Sequence, residues 1–260
     1  MRHIKKKFLR ALKVGDDVID VISSIPVNEQ AIAELKRTNF EGHYAIIQTD
    51  GNELIQAFQY NKNGNTYFIP EPNPIVIYFE VGRLYIKNIA KAQQTLFDEL
   101  NQKKPDAYKI LNNFYAFYMY ASVCATFLFN AIEAFINNLI PKHFTYSRVL
   151  DKKTEVYDKF QIQRHLQFEE KIKNVLPLIF EGKSFHKEQS HKYAHIEKLR
   201  EFRDEIMHTK SYDQTSPNHY KSLFTVSLDF DYAETLSSVR DFINYYEPNL
   251  IEECDCGNDL

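Results

Sequence analysis

The stretch Leu199-Arg-Glu-Phe-Arg-Asp-Glu-Ile-Met-His-Thr-Lys210 combines the pattern of an amphipathic helix with side chains that can bind phosphate and transfer protons. Apolar residues recur in and just before it at spacings of three and four, namely Ile196, Leu199, Phe202 and Ile206. Such spacing gives a helix one apolar face, which has to be buried against other elements. The stretch therefore predicts a bundle of helices around it.

Arg203 and His208 supply a fixed cation and a titratable group. Arginine stays charged at any working pH and offers a planar fork of donors to phosphate oxygens, and an ordinary histidine can both accept and give a proton near neutrality. Asp204 lies four residues before His208 on the same helical face, so its carboxylate can orient the imidazole. This set is suited to phosphodiester cleavage without a metal. A solvated, charged helix end is the alternative.

Helical geometry separates the arginine from the histidine. On a straight helix, five residues rotate by about 140° and rise by roughly 7.5 Å, so Arg203 and His208 do not project side by side. We therefore expect a second copy of the chain to complete the site. The similarly spaced pair Arg37 and His43 is set aside, because Gly42 and its neighbours predict a loop that leads into a strand.

The Arg-x4-His pattern, with a polar residue directly after the arginine, resembles the signature of HEPN domains. These domains are all-helical bundles found in many prokaryotic toxins, defence proteins and RNases. The segment Phe127-Leu-Phe-Asn-Ala-Ile-Glu-Ala-Phe-Ile-Asn-Asn-Leu139, inside a predicted long helix from Ala107 to Ile140, is similar to the first helix of such bundles. The resemblance also takes in Phe168 to Leu176 and covers roughly Ala107 to Pro248.

This resemblance implies a metal-independent endoribonuclease, a toxin or phage-defence effector, that works at a homodimer interface on single-stranded RNA or tRNA. Arg203 would neutralise the phosphate and its transition state, and His208 would act as general base or acid in attack of the ribose 2′-hydroxyl. Asp204 would be the orienting residue. Glu133 is a further catalytic candidate, for which a structural ion pair with Arg203 is the alternative. No cofactor and no metal are implied, and a regulatory or antitoxin partner stays unidentified.

A second function keeps the bundle and the dimer without catalysis. In it the protein is an interaction or regulatory module, and Arg203, Asp204 and His208 form a structural ion-pair network. The chain as a whole carries a formal net charge of −3. Between Lys142 and Tyr212, however, fifteen Lys or Arg residues face eleven Asp or Glu residues. This local surplus favours phosphate contacts, and a solvated mixed-charge surface is the alternative.

The apolar run from Phe114 to Ile136 is long enough to suggest a membrane span. Asn130, Glu133 and several tyrosines interrupt it, and its flanks show no asymmetry of positive charge. We predict a buried helix of the bundle and no membrane partner. Three cysteines do not make a disulfide framework and suit a reducing cytoplasm, where we expect the protein.

The first hundred residues predict a separate unit with strands. Asp50-Gly51 is a strong hairpin signal, and Pro70, Pro72 and Pro74 predict an extended crossing. The predicted elements are helices at Asp16 to Ser24, Asn28 to Lys36 and Ile89 to Gln102, and strands at His43 to Thr49, Glu53 to Tyr60, Tyr67 to Ile69, Ile75 to Phe79 and Arg83 to Lys87.

The complete prediction is an α+β, mainly α protein with a boundary at Lys103-Lys-Pro105. It has a small N-terminal domain with an antiparallel meander (residues 1–105), a HEPN-like helical bundle (106–248) and an acidic C-terminal tail (249–260). His191 and His195, four apart, could bind a metal from one helical face. Because no glutamate or third histidine lies at a helpful position nearby in the sequence, we do not predict a metal site there.

Overall fold

A computed structural model describes residues 3–9, 11–13, 44–48, 53–151, 153–209 and 220–254 of the chain. The described part is mostly helical and carries a small antiparallel sheet near its N-terminal end, so the expected α+β, mainly α class is confirmed. Contacts between residues divide the chain into a sheet unit, Lys6–Pro74, and a helical unit made of Met1–Lys5 and Ile75–Leu260.

The sheet unit is organised around its longest strand. Its strands are β1 (Ala11–Lys13), β2 (Tyr44–Gln48), β3 (Glu53–Lys62) and β4 (Asn65–Pro70). All pair antiparallel, and β3 pairs with each of the others. The pairing of β2 overlaps those of β1 and β4 along β3, so β2 lies on one edge of β3 and the other two share the opposite edge. Asn63 and Gly64, both with positive φ, form the two-residue turn between β3 and β4.

The predicted pairing of the strands that flank Asp50-Gly51 is confirmed, with Gln48 opposite Leu54. The turn itself, the predicted helices at Asp16 to Ser24 and Asn28 to Lys36, and the pair Arg37 and His43 lie outside the described residues.

The predicted strands at Ile75 to Phe79 and Arg83 to Lys87 are wrong. Both belong to one helix, α1 (Pro74–Leu100), which also contains nearly all of the predicted helix at Ile89 to Gln102. Consecutive Ile, Val, Tyr and Phe residues favour a strand by their local propensity. The buried positions of α1 nevertheless recur with helical spacing, so tertiary packing overrides the strand propensity of these residues. Pro74 starts the helix, where its fixed φ is suitable and its missing N–H costs no hydrogen bond.

Gly82 has a packing role in α1 and is not the turn residue that the strand prediction required. A Cβ atom at this position would lie 2.5 Å from Cδ2 of Leu128, which is on the next helix. The absence of a side chain therefore lets α1 approach that helix closely. The division between the two units falls between Pro74 and Ile75, at the first residue of α1, whereas the sequence predicted a boundary at Lys103-Lys-Pro105.

Helix α2 (Ala107–Leu139) is the core helix of the helical unit. The carboxylate of Asp106 caps its first turn by accepting from the backbone N–H groups of Tyr108 and Lys109. By length and composition alone α2 could cross a membrane, but half of its most apolar window is buried inside the molecule. This burial is typical of a core helix, and the sequence predicted a buried helix here.

The remaining described elements complete the helical unit. They are strands β5 (Thr145–Leu150) and β6 (Lys153–Asp158), helices α3 (Lys159–His165) and α4 (Phe168–Glu170), a π-helical turn (Lys171–Val175), and helices α5 (Leu176–Ile179), α6 (Phe185–Glu188), α7 (Ser190–Met207), α8 (Lys221–Asp229) and α9 (Tyr232–Tyr246). The hairpin of β5 and β6 interrupts the predicted all-helical bundle.

The apolar face predicted for the Leu199–Lys210 stretch exists in α7. Ile196, Leu199 and Phe202 are buried in a core shared with α2 and α9. The predicted acidic tail begins as part of this core, because Leu250 and Ile251 are buried, and the amide side chain of Asn244 pairs with both backbone groups of Ile251. Residues 255–260 lie outside the described part.

Candidate functional site

Arg203 lies on the last turn but one of α7 and is held from two sides. Its Nη2–H donates to Oε2 of Glu133 on α2 at 3.0 Å, and its Nη1–H donates to Oδ1 of Asp204 at 2.8 Å. The Arg203 side chain is 18% exposed, while those of Glu133 and Asp204 are 41% and 48% exposed. The cation is thus largely enclosed, and both of its anionic partners face solvent.

Phe129 forms the floor beneath this arginine. The guanidinium carbon of Arg203 lies 4.0 Å from the centroid of the Phe129 ring, a cation–π contact, and the ring itself is buried. Phe129 and Glu133 are one helical turn apart on α2, so a single helix face supplies both contacts. The guanidinium is therefore fixed in position before any ligand arrives.

Asp204 contacts Arg203, and its carboxylate is not placed as the sequence predicted. Its backbone carbonyl accepts the N–H of His208 at 2.9 Å, which closes the last turn of α7. His208 follows the helix with a non-helical ψ of 40°, and its side chain is exposed. Among the described residues, no hydrogen bond or ion pair reaches the imidazole. The predicted contact between the Asp204 carboxylate and the imidazole is not present among the described residues, because that carboxylate pairs with Arg203.

Lys171 is a buried cation that interacts electrostatically with Glu133, and sequence reasoning did not single it out. Its side chain is buried, and its Nζ donates to the backbone carbonyl of Gln163 at 2.7 Å. Burial lowers the pKa of Lys171, and the negative charge of Glu133 opposes this shift. Glu133 thus acts on two cations, Arg203 and Lys171. We call Glu133, Lys171, Arg203 and Asp204 the Arg203 cluster.

A signal for Lys171 exists in the sequence. Apolar residues at Phe168, Ile172, Val175 and Leu176 follow helical spacing, and Lys171 falls on the same face. A lysine on the apolar face of a helix either is buried with a hydrogen-bond partner for its ammonium group or extends that group to the surface. The structure adds a second indication, because Lys171 begins a π-helical turn, and such turns are frequent at functional sites.

The Arg203 cluster balances two cations against two carboxylates. Arg203 uses two of its five N–H donors on carboxylates, and the guanidinium can still offer others to a phosphate oxygen. Beyond the cluster, the exposed imidazole of His208 is available for proton transfer. Together they provide a charge stabiliser and an acid or base, which are the two functions that phosphodiester cleavage without a metal requires.

The predicted site residues are therefore brought together to different degrees. Arg203, Asp204 and Glu133 are in direct contact, and His208 lies one turn beyond Asp204. Comparison of the chain with protein-family models, with curated proteins and with solved structures found no match.

Proposed function

We propose that the protein is a metal-independent endoribonuclease of HEPN type that acts as a homodimer in the cytoplasm, in a toxin or phage-defence role. The observation that carries the proposal is the fixed, partly enclosed guanidinium of Arg203, with the exposed imidazole of His208 five residues further along the chain. The Arg-x4-His pattern and its resemblance to HEPN domains support the reaction type.

In this proposal each side chain has a defined task. Arg203 binds the scissile phosphate and stabilises the charge that develops on its oxygens in the transition state. His208 takes the proton of the ribose 2′-hydroxyl or gives a proton to the leaving 5′-oxygen. Glu133 and Phe129 keep the guanidinium in place, and Asp204 shares that work until substrate binds. The products are a 2′,3′-cyclic phosphate end and a free 5′-hydroxyl end.

An exposed apolar stripe on α2 supports the homodimer. Tyr108, Leu111, Tyr115 and Met119 follow helical spacing, and between 50% and 81% of each residue is exposed. We call these four residues the α2 stripe. Tyr115 and Glu133 are separated by about five full turns, so the stripe and Glu133 lie on the same face of α2. Met119 and Glu133 are 14 residues apart, so an interface that covers the stripe reaches the Arg203 cluster if it extends about 21 Å along α2.

Local charge supports RNA as the substrate class. Cationic residues outnumber acidic ones between Lys142 and Tyr212, and phosphate contacts depend on such local surplus more than on net charge. Single-stranded RNA and tRNA loops place the 2′-hydroxyl and the adjacent phosphate within reach of a surface site, since their bases are not held in a regular duplex.

The ion pairs of Arg203 favour a second function. Both partners of Arg203 are carboxylates, and a guanidinium engaged in this way can serve mainly to join α2 to α7. In that case the protein is a non-catalytic dimeric interaction module, and the cluster is a structural network.

Incubation of the purified protein with labelled single-stranded RNA and tRNA in EDTA distinguishes the two functions. The enzyme function requires cleavage by the wild type and a cyclic-phosphate product. His208→Ala should lower the rate by about 10²- to 10⁴-fold, the usual contribution of an acid or base, with an unchanged dimer mass. His165→Ala is the matched control, because this exposed histidine also ends a helix.

Two results would count against the enzyme function. If the wild type cuts neither RNA, the enzyme function is not supported. If His208→Ala cuts as fast as His165→Ala, His208 is not a catalytic residue. Arg203→Ala then provides the test of the interaction module, in which it should weaken the dimer.

A further inference from the structure

His191 and His195 share one face of α7, near its N-terminal end. Their ring centroids are 5.3 Å apart, as expected for histidines separated by one helical turn. His191 is exposed and His195 is half-buried. Two imidazoles at this spacing can bind one ion from a rigid helix, but they leave at least two coordination positions to be filled.

The packing of α9 against α7 supplies a third ligand. Glu234 lies in the first turn of α9, and its carboxylate oxygen and one nitrogen of each imidazole all lie within 4.8 Å of one another. Glu234 is 39 positions from His195 along the chain, so no local sequence pattern links them. We call His191, His195 and Glu234 the His–Glu triad.

None of the three ligand groups is engaged elsewhere in the part of the chain that the structure describes. No hydrogen bond or ion pair to either imidazole or to the Glu234 carboxylate occurs among those residues. The neighbouring cation, Lys192, pairs instead with Asp241 at 2.8 Å. A carboxylate in the first turn of a helix also interacts favourably with the helix dipole. This interaction explains why an acidic residue stands there, but it does not explain why Glu234 converges with two imidazoles.

From this convergence we propose that the His–Glu triad binds a divalent transition-metal ion, for which Zn²⁺ is the representative. Two imidazole nitrogens and one carboxylate oxygen form a donor set that zinc uses in proteins, with water in the fourth position. Tetrahedral zinc with bonds of about 2.0–2.2 Å places its ligand atoms roughly 3.3 Å apart. Small side-chain rotations on two packed helices close the observed spacing to that value.

The metal would join the beginning of α7 to the beginning of α9. It is separate from the Arg203 cluster, because His195 and Arg203 are eight residues, or roughly 12 Å of helix, apart. The site does not depend on the proposed RNase function, and RNA cleavage in EDTA should proceed without it.

Equilibrium dialysis of the full-length, metal-free protein against buffered Zn²⁺ tests the proposal. The wild type should bind one ion at the triad. His191→Ala, His195→Ala and Glu234→Gln should each weaken this binding by about 100-fold or more, since loss of even an outer-shell partner costs about 10- to 100-fold. His143→Ala, which changes an exposed histidine in the turn between α2 and β5, is the matched control and should bind as the wild type does.

Cobalt provides a second measurement that separates the triad from the cysteines. Co²⁺ bound by nitrogen and oxygen should give visible absorption without the near-ultraviolet charge-transfer band of a thiolate, and Cys254→Ser should leave the spectrum unchanged. Circular dichroism of the metal-free variants checks that they fold, and His191 is exposed enough for its replacement to leave the fold intact. Zinc binding that survives in His191→Ala and His195→Ala, or no binding by the wild type, would overturn the proposal.

Discussion

Glu133 and Arg203 are 70 positions apart in the chain, and yet the carboxylate of one accepts a hydrogen bond of 3.0 Å from the guanidinium of the other. The contact joins the core helix α2 to α7. Because Arg203 also lies over the ring of Phe129, the same helix face both pairs with the cation and packs against it.

Replacing Arg203 by alanine should lower the free energy of unfolding by about 1–3 kcal/mol. The change removes the cation–π contact with Phe129, the packing of the side-chain stem and two hydrogen bonds. Urea unfolding followed by circular dichroism measures the effect. Arg164→Ala is the control, because Arg164 lies 5.5 Å from the ring of the exposed Phe160 and should matter by less than about 0.5 kcal/mol. Equal losses in the two variants would contradict the structural importance of Arg203.

Asp204→Asn should reduce RNA cleavage by less than about tenfold. The carboxylate contacts Arg203, which Glu133 still holds, and it does not contact His208 in the structure. The rate in EDTA should therefore fall far less than the roughly 10²- to 10⁴-fold loss expected for His208→Ala. A loss as large as that of His208→Ala would show that Asp204 orients the imidazole when RNA is bound.

The α2 stripe should be the dimer interface. Tyr115→Glu combined with Met119→Glu places two charges on the exposed apolar face, and burying them at an interface is costly. Light scattering should then show a monomer, and cleavage should be lost with the dimer. Leu178→Glu, a change at an equally exposed leucine on α5, should leave the mass unaltered. A double variant with the wild-type mass would exclude this stripe as the interface.

Lys171→Met should change how stability depends on pH. Burial holds the pKa of Lys171 below its ordinary value of 10.5 in the folded protein. Between the folded and unfolded pKa values the unfolded chain binds a proton that the folded chain lacks, so raising the pH favours folding. The free energy of unfolding of the wild type should therefore rise relative to that of Lys171→Met as the pH approaches 10.5.

Urea unfolding of both proteins at a series of pH values measures this difference. Below the folded pKa of Lys171 the difference should be constant, because the lysine is then protonated in both states. A difference that remains constant up to pH 10.5 would mean that the lysine is solvated.

Gly82→Ala should destabilise the helical unit by about 1–3 kcal/mol. Alanine is the better helix former by about 1 kcal/mol, but its Cβ would meet the buried side chain of Leu128. Thermal or urea unfolding measures the net effect. In a Leu128→Ala background the clash is absent, so the same change should become neutral or stabilising. Equal effects in both backgrounds would rule out a close contact at Gly82.

Local sequence patterns were sufficient for the elements whose residues interact with near neighbours. The apolar spacing of α7 and α2 predicts both helices, and the pairing of β2 with β3 follows from alternation around a turn signal. The Arg203, Asp204 and His208 set is visible for the same reason, since all three lie within one short stretch.

Local patterns misled where packing opposes propensity. The Ile75–Lys87 region has the composition of strands, and its Gly82 looks like a turn residue. Both are part of a helix, whose buried positions recur with helical spacing and whose Gly82 lies close to Leu128. The last residues that the structure describes show a similar effect. An acidic composition predicts a tail, and the pairing of Ile4 with Glu253 together with the burial of Leu250 and Ile251 places that segment on the core.

The sequence by itself determined the mainly helical class, the two central helices, and the presence of a cation and a carboxylate near the end of one of them with an imidazole directly after it. Only the tertiary structure decided that Glu133 and Asp204 share Arg203, that Lys171 is buried and interacts electrostatically with Glu133, and that Glu234 converges with His191 and His195. The physical reason is distance along the chain. Contacts within a helical turn are set by backbone geometry, whereas contacts between remote residues depend on how the helices pack.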